Sequence, residues 1–280
     1  MSCVFVLGSS GFIGSSLMTK LQDKGIVTTS VGIENSDIYL ELGKCHDNLL
    51  DVVKKDDFVI FLAAISAPDI CKNQKEFAES INVTATSDLI SKLTEKGIRV
   101  IFSSTDVVFG LVEHAVNDES DISPFGEYGE MKAKVEKYFA DNPLVKVIRF
   151  SYVMGPGDKY TDMLIHSSQS NDSVEVFDGF KRNVVALSDV TDGIYQLIKK
   201  WSLVPQGFIN FSGPECVSRW QLTLAFSEKF CPDLKCSLID APQGFWAARP
   251  KKIEMTSSAF PELLGRKAKN INENITTWCN

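Results

Sequence analysis

Residues 3–14 read Cys3-Val4-Phe5-Val6-Leu7-Gly8-Ser9-Ser10-Gly11-Phe12-Ile13-Gly14, a short apolar run followed at once by a glycine-rich turn. The residues after this turn have a helical pattern, so we predict a strand, a tight turn and a helix. Glycines suit such a turn because the backbone can approach a pyrophosphate closely and present the N–H groups of the helix N-terminus to it. The stretch therefore predicts a dinucleotide site with cofactor contacts at Gly8, Ser10, Gly11, Phe12, Ile13 and Gly14.

The spacing of these glycines is G-x-x-G-x-x-G, not the G-x-G-x-x-G of the commonest dinucleotide-binding turn. A glycine-rich turn without a ligand therefore stays an alternative. A second sign of such a site is an acid at the end of the second strand, where it holds the adenosine ribose. That position falls on Gly32, with Glu34 two residues later and no arginine nearby to attract a 2′-phosphate. The sequence predicts NAD(P) and leaves NAD versus NADP open.

Outward from the turn, the first 150 residues alternate short apolar runs with longer amphipathic stretches. This rhythm is typical of repeated βαβ units, which build a parallel sheet. The predicted strands are 3–7, 27–31, 58–63, 100–104 and 145–150. The predicted helices between them are 14–23, 75–96 and 127–140. Beyond residue 150 the rhythm loosens, so the sequence indicates an α/β fold whose second part is built differently.

The composition excludes several classes of protein. The 280 residues are 44% hydrophobic and 23% charged, which is ordinary for a globular protein and unlike a disordered, fibrous or disulfide-scaffold chain. The net charge of -7, with no dense basic block, argues against a nucleic-acid partner. The N-terminus has no positive region before its apolar run, and no later apolar stretch reaches the roughly 18 residues of a membrane span. We expect a cytoplasmic protein without membrane contact.

Cysteine and histidine give no sign of a metal site. The seven cysteines are scattered without C-x-x-C pairs, so we expect reduced thiols. The three histidines, His46, His114 and His166, are not spaced for metal binding, and no obvious nucleophile stands beside them. Metal catalysis and a Ser-His-Asp hydrolase are therefore not expected.

Tyr128 and Lys132 lie four residues apart, which places a phenol and an ammonium on one face of a helix. A nearby cation favours the phenolate, so we expect the pKa of Tyr128 to fall from about 10 and the phenol to exchange a proton with a substrate oxygen. Tyr195 and Lys199 have the same spacing, which indicates a solvated helix face there. Tyr128 differs because it follows the predicted strand ending near Thr105, where open α/β sheets bind ligands.

The hydroxyl of Thr105 can donate a hydrogen bond to the reacting oxygen, and a simple strand-end cap is the alternative role. These features, together with Arg149-Phe150-Ser151-Tyr152-Val153-Met154-Gly155-Pro156-Gly157, resemble the extended short-chain dehydrogenase/reductases, the NAD-dependent epimerase/dehydratase family acting on nucleotide sugars. Within it, Ser104-Thr105-Asp106-Val107-Val108-Phe109-Gly110 is most similar to the dTDP-4-dehydrorhamnose reductases.

The resemblance implies a Rossmann-type, doubly wound parallel sheet with a smaller, interleaved C-terminal α+β substrate domain. The dinucleotide-binding domain would comprise residues 1–151 and 183–212, and the substrate domain residues 152–182 and 213–280. Relatives commonly pair through the two helices corresponding to 75–96 and 127–140, so the resemblance also implies a possible homodimer.

The resemblance implies roles for individual residues. Tyr128 would be the acid/base, Lys132 its electrostatic partner and a ribose contact, and Thr105 the group that orients the substrate oxygen. Further cofactor contacts would be Ala63, Ala64 and Asn82. The diphosphate of a nucleotide-sugar substrate would be held by Arg182 and Arg249, because the fork of an arginine fits phosphate oxygens.

The residues after Thr105 distinguish between reactions. The 4,6-dehydratases carry an acidic pair there, whereas Asp106 is followed by Val107, so dehydration is disfavoured. We predict an NAD(P)H-dependent reduction of a 4-keto group on a nucleotide-linked deoxysugar. The alternatives are a nucleotide-sugar epimerase that uses tightly bound NAD and a non-catalytic, nucleotide-binding regulatory subunit on the same fold.

Overall fold

The computed structural model describes residues 2–279, without the side chains of residues 248 and 279. In chain order the strands are β1 (Val4–Leu7), β2 (Thr28–Gly32), β3 (Ile38–Tyr39), β4 (Phe58–Phe61), β5 (Arg99–Thr105), β6 (Val145–Phe150), β7 (Tyr152–Met154), β8 (Ser173–Val176), β9 (Lys181–Ala186), β10 (Phe208–Phe211), β11 (Cys216–Ser218), β12 (Lys235–Leu238) and β13 (Lys252–Ile253). The α-helices are α1 (Phe12–Asp23), α2 (Asp47–Leu50), α3 (Pro68–Asn73), α4 (Lys75–Glu79), α5 (Thr86–Glu95), α6 (Glu127–Tyr138), α7 (Lys159–Gln169), α8 (Leu187–Lys199), α9 (Arg219–Phe230), α10 (Ala259–Leu264) and α11 (Ile271–Thr276).

The central sheet has seven strands in the order β10-β6-β5-β4-β1-β2-β3, and all of its pairings are parallel. The strand order reverses between β1 and β4. In such sheets ligands bind beyond the carboxyl ends of the strands at this point of reversal. The predicted α/β fold with a doubly wound parallel sheet is confirmed.

The two faces of the sheet bury separate cores because alternate residues of a strand point to opposite sides. Val6 of β1 packs in a core with Leu17 of α1 and Ile194 of α8. Leu7, the next residue of β1, packs on the other face in a core that includes Leu89 of α5. Each fully buried leucine or isoleucine contributes about 1.5–3 kcal/mol of hydrophobic free energy. These contacts fix the helices on either side of the sheet.

The smaller second part is built on a sheet in which β9 pairs with β7, β11 and β13, while β8 pairs with β12. Its core includes Leu164 of α7, Phe226 of α9 and Ile275 of α11. The predicted domain boundary between residues 182 and 183 falls inside β9. The chain then returns to the first core, because Phe260 of α10 stacks on Phe211 of β10 with ring centroids 4.3 Å apart. Residues 259–264 thus pack against the central sheet, although the prediction assigned them to the substrate domain.

The predicted helix 75–96 is interrupted by a π-helical turn at Ser80–Ala85, between α4 and α5. Thr86, the residue after this turn, donates a hydrogen bond from its Oγ1 to the Ile81 carbonyl over 2.9 Å. Such turns are frequent at functional sites because they rotate a side chain out of the regular helical register. Within residues 2–279, no helix has the length and apolar character needed to cross a bilayer.

Candidate functional site

The glycine-rich turn between β1 and α1 is tight enough to exclude side chains at two positions. Gly8 has φ +90°, and a Cβ there would lie 3.0 Å from the Ala63 nitrogen. A Cβ on Gly14 would lie 2.1 Å from the Gly8 carbonyl oxygen. A Cβ on Gly11 would meet only that same oxygen, at 3.3 Å. Gly8 and Gly14 are therefore required by the packing of the turn, and Gly11 keeps the surface beside it open.

The N-terminus of α1 is available to an anion. Gly11 is the N-cap residue; no side chain of the described chain caps the helix, and its first turn carries no acidic residue. Free N–H groups and the positive end of the helix dipole attract phosphate groups at such a position. Ile13, in the first turn, also lines the cleft at the carboxyl end of β5. The turn thus fits the pyrophosphate of a dinucleotide.

The end of β2 lacks an acid in register, as the sequence indicates. Gly32 is the last residue of β2, and a Cβ there would lie 3.0 Å from Ser36 Oγ. Sequence reasoning missed Asp37, whose carboxylate accepts hydrogen bonds from Ser30 N at 2.9 Å and Ser30 Oγ at 2.7 Å. These bonds hold the pKa of Asp37 below its usual value. They fix the loop that follows β2, and the choice between NAD and NADP stays open.

Asn82 acts on the loop that follows β4 and is itself 2% exposed. Its Oδ1 accepts a hydrogen bond from Ile65 N at 2.9 Å, and its Nδ2 donates one to Ile65 O at 2.8 Å. The side chain is therefore buried and hydrogen-bonded to the Ile65 backbone, and its cofactor contact stays a prediction. Asn82 fixes the backbone after Ala63 and Ala64, and Ala63 borders the glycine turn.

Thr105, Tyr128 and Lys132 come together at the carboxyl end of β5. Thr105 and Tyr128 line one cleft with a cavity of about 290 Å³. Lys132 lies one helical turn behind Tyr128, with its Nζ 5.9 Å from the centre of the Tyr128 ring. Gly129 lets α6 approach the strand end, because a Cβ there would lie 3.0 Å from the Val107 carbonyl oxygen. The role of Gly129 was not predicted from the sequence, because only its contact with Val107 in the structure distinguishes it from other helical glycines.

The hydroxyl of Thr105 also has a structural role. It accepts a hydrogen bond from Val107 N at 3.4 Å and so caps the 3₁₀ turn Asp106–Phe109. It donates to Asp106 Oδ1 at 3.3 Å. Both bonds are long, and the side chain remains partly exposed to the cleft. The cap and the cleft-lining position therefore coexist.

The charge on Lys132 is enclosed by protein. Its Nζ donates a hydrogen bond to the Ser103 carbonyl over 2.8 Å and lies 4.5 Å from the centre of the Phe102 ring. Burial lowers the pKa of Lys132 to about 8, and the negative charge of Glu136 acts in the opposite direction. The ammonium is held by β5 rather than by the phenol beside it.

The expectation that Lys132 lowers the pKa of Tyr128 is wrong for this structure. Burial raises the pKa of Tyr128 above its usual value, and Cys71 and Asp106, when ionised, act in the same direction. The reason is geometric, because Lys132 Nζ is directed at the Ser103 carbonyl. Tyr128 is therefore a protonated phenol at neutral pH.

Arg182 lines the same cleft and is paired with a carboxylate. Its Nε lies 3.2 Å from Asp106 Oδ2, and both side chains are buried. The guanidinium also donates to the Pro250 carbonyl at 2.8 Å and lies 4.3 Å from the centre of the Phe180 ring. Burial raises the pKa of Asp106, and the charge of Arg182 acts against that rise. This pair connects the carboxyl end of β5 to β9 of the smaller sheet.

Arg249 reaches across the mouth of the cleft. Its NH2 nitrogen lies 2.9 Å from Asp69 Oδ2, in α3 on the opposite side. Its guanidinium lies 4.8 Å from the centre of the Phe245 ring. The Asp69 side chain is 71% exposed, so water screens this ion pair and makes it easy to exchange. Arg182 and Arg249 thus border one cleft, as a diphosphate contact would require.

The described part of the chain, residues 2–279, contains no group of three or more His, Cys, Asp or Glu side chains able to hold a metal ion. The second tyrosine–lysine pair lies outside the cleft that Thr105 and Tyr128 line. Tyr195 of α8 packs beside the core between α8 and the sheet.

Comparisons with known proteins give both relatives and structural neighbours. The beta subunit of methionine adenosyltransferase 2 from Mus musculus is 26% identical over 277 residues, which covers 93% of this chain and 82% of that protein. The structure of dTDP-4-dehydrorhamnose reductase from Bacillus anthracis in complex with NADP has a TM-score of 0.82 at 18% identity, covering 98% of this chain and 97% of that one. MoeE5 in complex with UDP-glucuronic acid and NAD has a TM-score of 0.82 at 23% identity, covering 99% and 97%.

The structural likenesses show that the fold of this chain is shared with nucleotide-sugar enzymes, at identities too low to carry a reaction across. The family comparison is broader in coverage, because the family model described as RmlD substrate binding domain matches residues 1–280. A match over the entire chain includes the glycine turn, the cleft and the smaller sheet. The chain belongs to the RmlD substrate binding domain family.

Proposed function

We propose that this protein reduces a 4-keto group on a nucleotide-linked deoxysugar with NAD(P)H as the hydride source. The observation that carries the proposal is the shared cleft. It brings Thr105, Tyr128 and Arg182 together with Ile13 of the dinucleotide turn. A ketone held there would lie between a proton donor on one side and the cofactor turn on the other.

The cofactor is held by the turn between β1 and α1 and by the backbone after β4. The N-terminus of α1 would hold the pyrophosphate, and Gly8 and Gly14 would allow the backbone to approach it. When bound, NAD(P)H supplies the hydride that the keto carbon receives. The neighbouring structures with NAD and with NADP support a pyridine nucleotide and leave the type undecided.

Tyr128 supplies the proton. The phenol is protonated at neutral pH, so its Oη could donate first a hydrogen bond and then a proton to the oxygen of a bound ketone. The ammonium of Lys132 lies behind the ring, with its Nζ 5.9 Å from the ring centre, and attracts the negative charge left on Tyr128 after the transfer, although burial keeps the pKa of the phenol above its usual value. Thr105 donates a hydrogen bond to the same substrate oxygen. Donors prepared in this way contribute about 3–4 kcal/mol each to the stabilisation of a developing oxyanion.

Arg182 and Arg249 hold the diphosphate. Both line the cleft, and each lies over an aromatic ring, Phe180 or Phe245. The planar guanidinium combines stacking with bidentate contact to phosphate oxygens. To bind phosphate, Arg249 exchanges its exposed partner Asp69 for the ligand.

The test is Tyr128→Phe, which removes the phenolic oxygen and keeps the ring. We expect kcat for reduction of keto-sugar nucleotides to fall at least 100-fold, because general acid catalysis contributes about 10²–10⁴. NAD(P)H affinity, measured by cofactor fluorescence, stays within about twofold. Tyr195→Phe is the matched control, since Tyr195 has the same spacing to a lysine but lies on α8. Turnover by Tyr128→Phe at the rate of Tyr195→Phe would refute the proposal.

A second candidate is a non-catalytic, nucleotide-binding subunit of a larger assembly. It is favoured by the relative from Mus musculus, which is a subunit of methionine adenosyltransferase 2, and by the pairing of Arg182 and Arg249 with carboxylates. Robust NAD(P)H binding without turnover of any keto sugar, together with co-purification of a catalytic partner, would support this function instead.

An epimerase is the remaining enzymatic alternative. It would retain tightly bound NAD and would convert its substrate without added cofactor, whereas a reductase consumes one NAD(P)H for each alcohol formed. Assays with and without supplied NAD(P)H separate the two. The predicted homodimer and the cytoplasmic location stay predictions, and sedimentation of the full chain tests the first.

A further inference from the structure

A buried network lies behind the candidate catalytic groups and joins three elements. Glu136 of α6 accepts a hydrogen bond from Ser104 Oγ of β5. It also accepts from Arg149 of β6, whose NH2 and Nε lie 2.8 and 3.1 Å from Glu136 Oε2. Glu136 is 1% exposed and Arg149 is 4% exposed. We call these three residues the 104–136–149 network.

Stability does not account for this network. A buried ion pair commonly contributes less than well-packed apolar residues of the same volume, because both charges lose their hydration. Here the cost is larger, since Arg149 NH1 is buried and has no hydrogen-bond partner within residues 2–279. The guanidinium lies between the rings of Phe109 and Phe208, at 5.0 and 4.7 Å from their centres. The free energy of folding therefore gives no reason for burying this ion pair.

The position of the network indicates a functional role for it. Glu136 lies one helical turn beyond Lys132, on the same face of α6. Ser104 stands between Ser103, which accepts the hydrogen bond of Lys132, and Thr105, which lines the cleft. The network therefore contacts both the strand end that carries Thr105 and the helix that carries Lys132.

The surroundings of Lys132 leave Glu136 as its main buried anion. Its own helix contributes Tyr128 and Glu136, and α3 contributes Cys71, whose thiol is protonated because burial raises its pKa. The neighbouring strand β5 contributes only the Ser103 carbonyl and the Phe102 ring.

We propose that the 104–136–149 network is a positioning unit that keeps the Lys132 ammonium charged and holds it in register with the end of β5. Glu136 provides the negative charge, Arg149 orients the carboxylate through two nitrogens, and Ser104 ties it to the strand. In this role none of the three side chains touches the reacting atoms. Ser104 lines the cleft, but it acts through its hydrogen bond to Glu136. The inference rests on the role proposed above for Lys132.

The direct test is titration of Lys132 in the full-length protein by NMR of ¹³Cε-labelled lysine, with the signal assigned by its loss in Lys132→Met. Glu136→Gln preserves the shape and the acceptor oxygen and removes the charge. We expect the titration midpoint of Lys132 to fall by about one pH unit or more, as loss of a close opposite charge implies. Glu130→Gln is the matched control, because Glu130 is exposed on the same helix.

Two further measurements keep the proposal falsifiable. If Glu136→Gln does not fold, the double variant Glu136→Gln with Arg149→Met removes both members of the pair, and the midpoint must again fall. The pH dependence of NAD(P)H binding, followed by cofactor fluorescence, must shift in the same direction as the NMR midpoint. An unchanged midpoint in a folded Glu136→Gln or double variant would overturn the proposal. The NMR titration needs neither cofactor nor substrate. Absence of reductase activity would therefore refute the proposed function, while the titration would still test the role of the network.

Discussion

Lys132→Met replaces an ammonium that the fold removes from water by an apolar side chain of similar length. The pKa of Lys132 falls from its usual 10.5 to about 8, which corresponds to ~3 kcal/mol against the charged form. Loss of the hydrogen bond to the Ser103 carbonyl offsets about 1.5 kcal/mol of this. We therefore expect the variant to be more stable than the wild type by about 1–2 kcal/mol at pH 7, while the proposed reductase activity is lost.

The sign of the effect depends on pH in a defined way. Below about pH 8 the folded wild type carries the buried ammonium, so the variant has its full advantage there. Between pH 8 and 10.5 the folded wild type has released a proton that the unfolded chain still binds, so wild-type stability rises and the difference narrows. Urea unfolding of both proteins at pH 7 and pH 10 measures this difference.

Lys134→Met is the control for the loss of a lysine from the same helix. Lys134 is half-exposed and pairs with Glu79 at the surface, so its removal changes the free energy of unfolding by less than about 1 kcal/mol at either pH. A Lys132→Met protein that is less stable than the wild type by the same amount at pH 7 and pH 10 would refute the reasoning. That result would mean that the ammonium is well solvated or well paired in the folded state.

Two further predictions concern the turn and the mouth of the cleft. Gly14→Ala places a Cβ 2.1 Å from the Gly8 carbonyl oxygen, so we expect a loss of ~3 kcal/mol, seen as a lower Tm in a thermal melt. Gly11→Ala, with its contact at 3.3 Å, loses less than about 1 kcal/mol, and equal melting temperatures would contradict the packing argument. Asp69→Asn releases Arg249 from its 2.9 Å ion pair, and calorimetry should show a nucleoside diphosphate sugar binding about two- to fivefold more tightly at low salt. An affinity that does not change at any salt concentration would show that Asp69 does not compete with the ligand.

Local patterns predicted the first part of the fold well. The turn at Gly8 to Gly14 and the strand ending near Thr105 depend on short-range chemistry, namely backbone conformation and alternating apolar runs. The smaller sheet was not predicted strand by strand. Its strands β7, β11 and β13 have two or three residues each, which is too short for a period-two pattern to be recognised.

The candidate site was predicted in its members but not in its electrostatics. The spacing of Tyr128 and Lys132 placed both on one helix face, and the structure brings Tyr128 to the same cleft as Thr105, with Lys132 buried behind it. The direction of the Tyr128 pKa was wrong, because burial depends on groups distant in sequence such as Cys71. The cofactor contact of Asn82 stays a prediction, and its hydrogen bonds to the Ile65 backbone were not indicated by the sequence.

By itself the sequence determined a glycine-rich turn after the first strand, a parallel α/β sheet, and a tyrosine and a lysine one helical turn apart after a strand that ends near a threonine, because each is encoded within a short segment. Only the tertiary structure decided how their charges are set. Glu136 meets Arg149 thirteen residues away, and Asp106 meets Arg182 across the two sheets. Pairing and burial of this kind depend on which surfaces the folded chain brings together, and no local spacing encodes them.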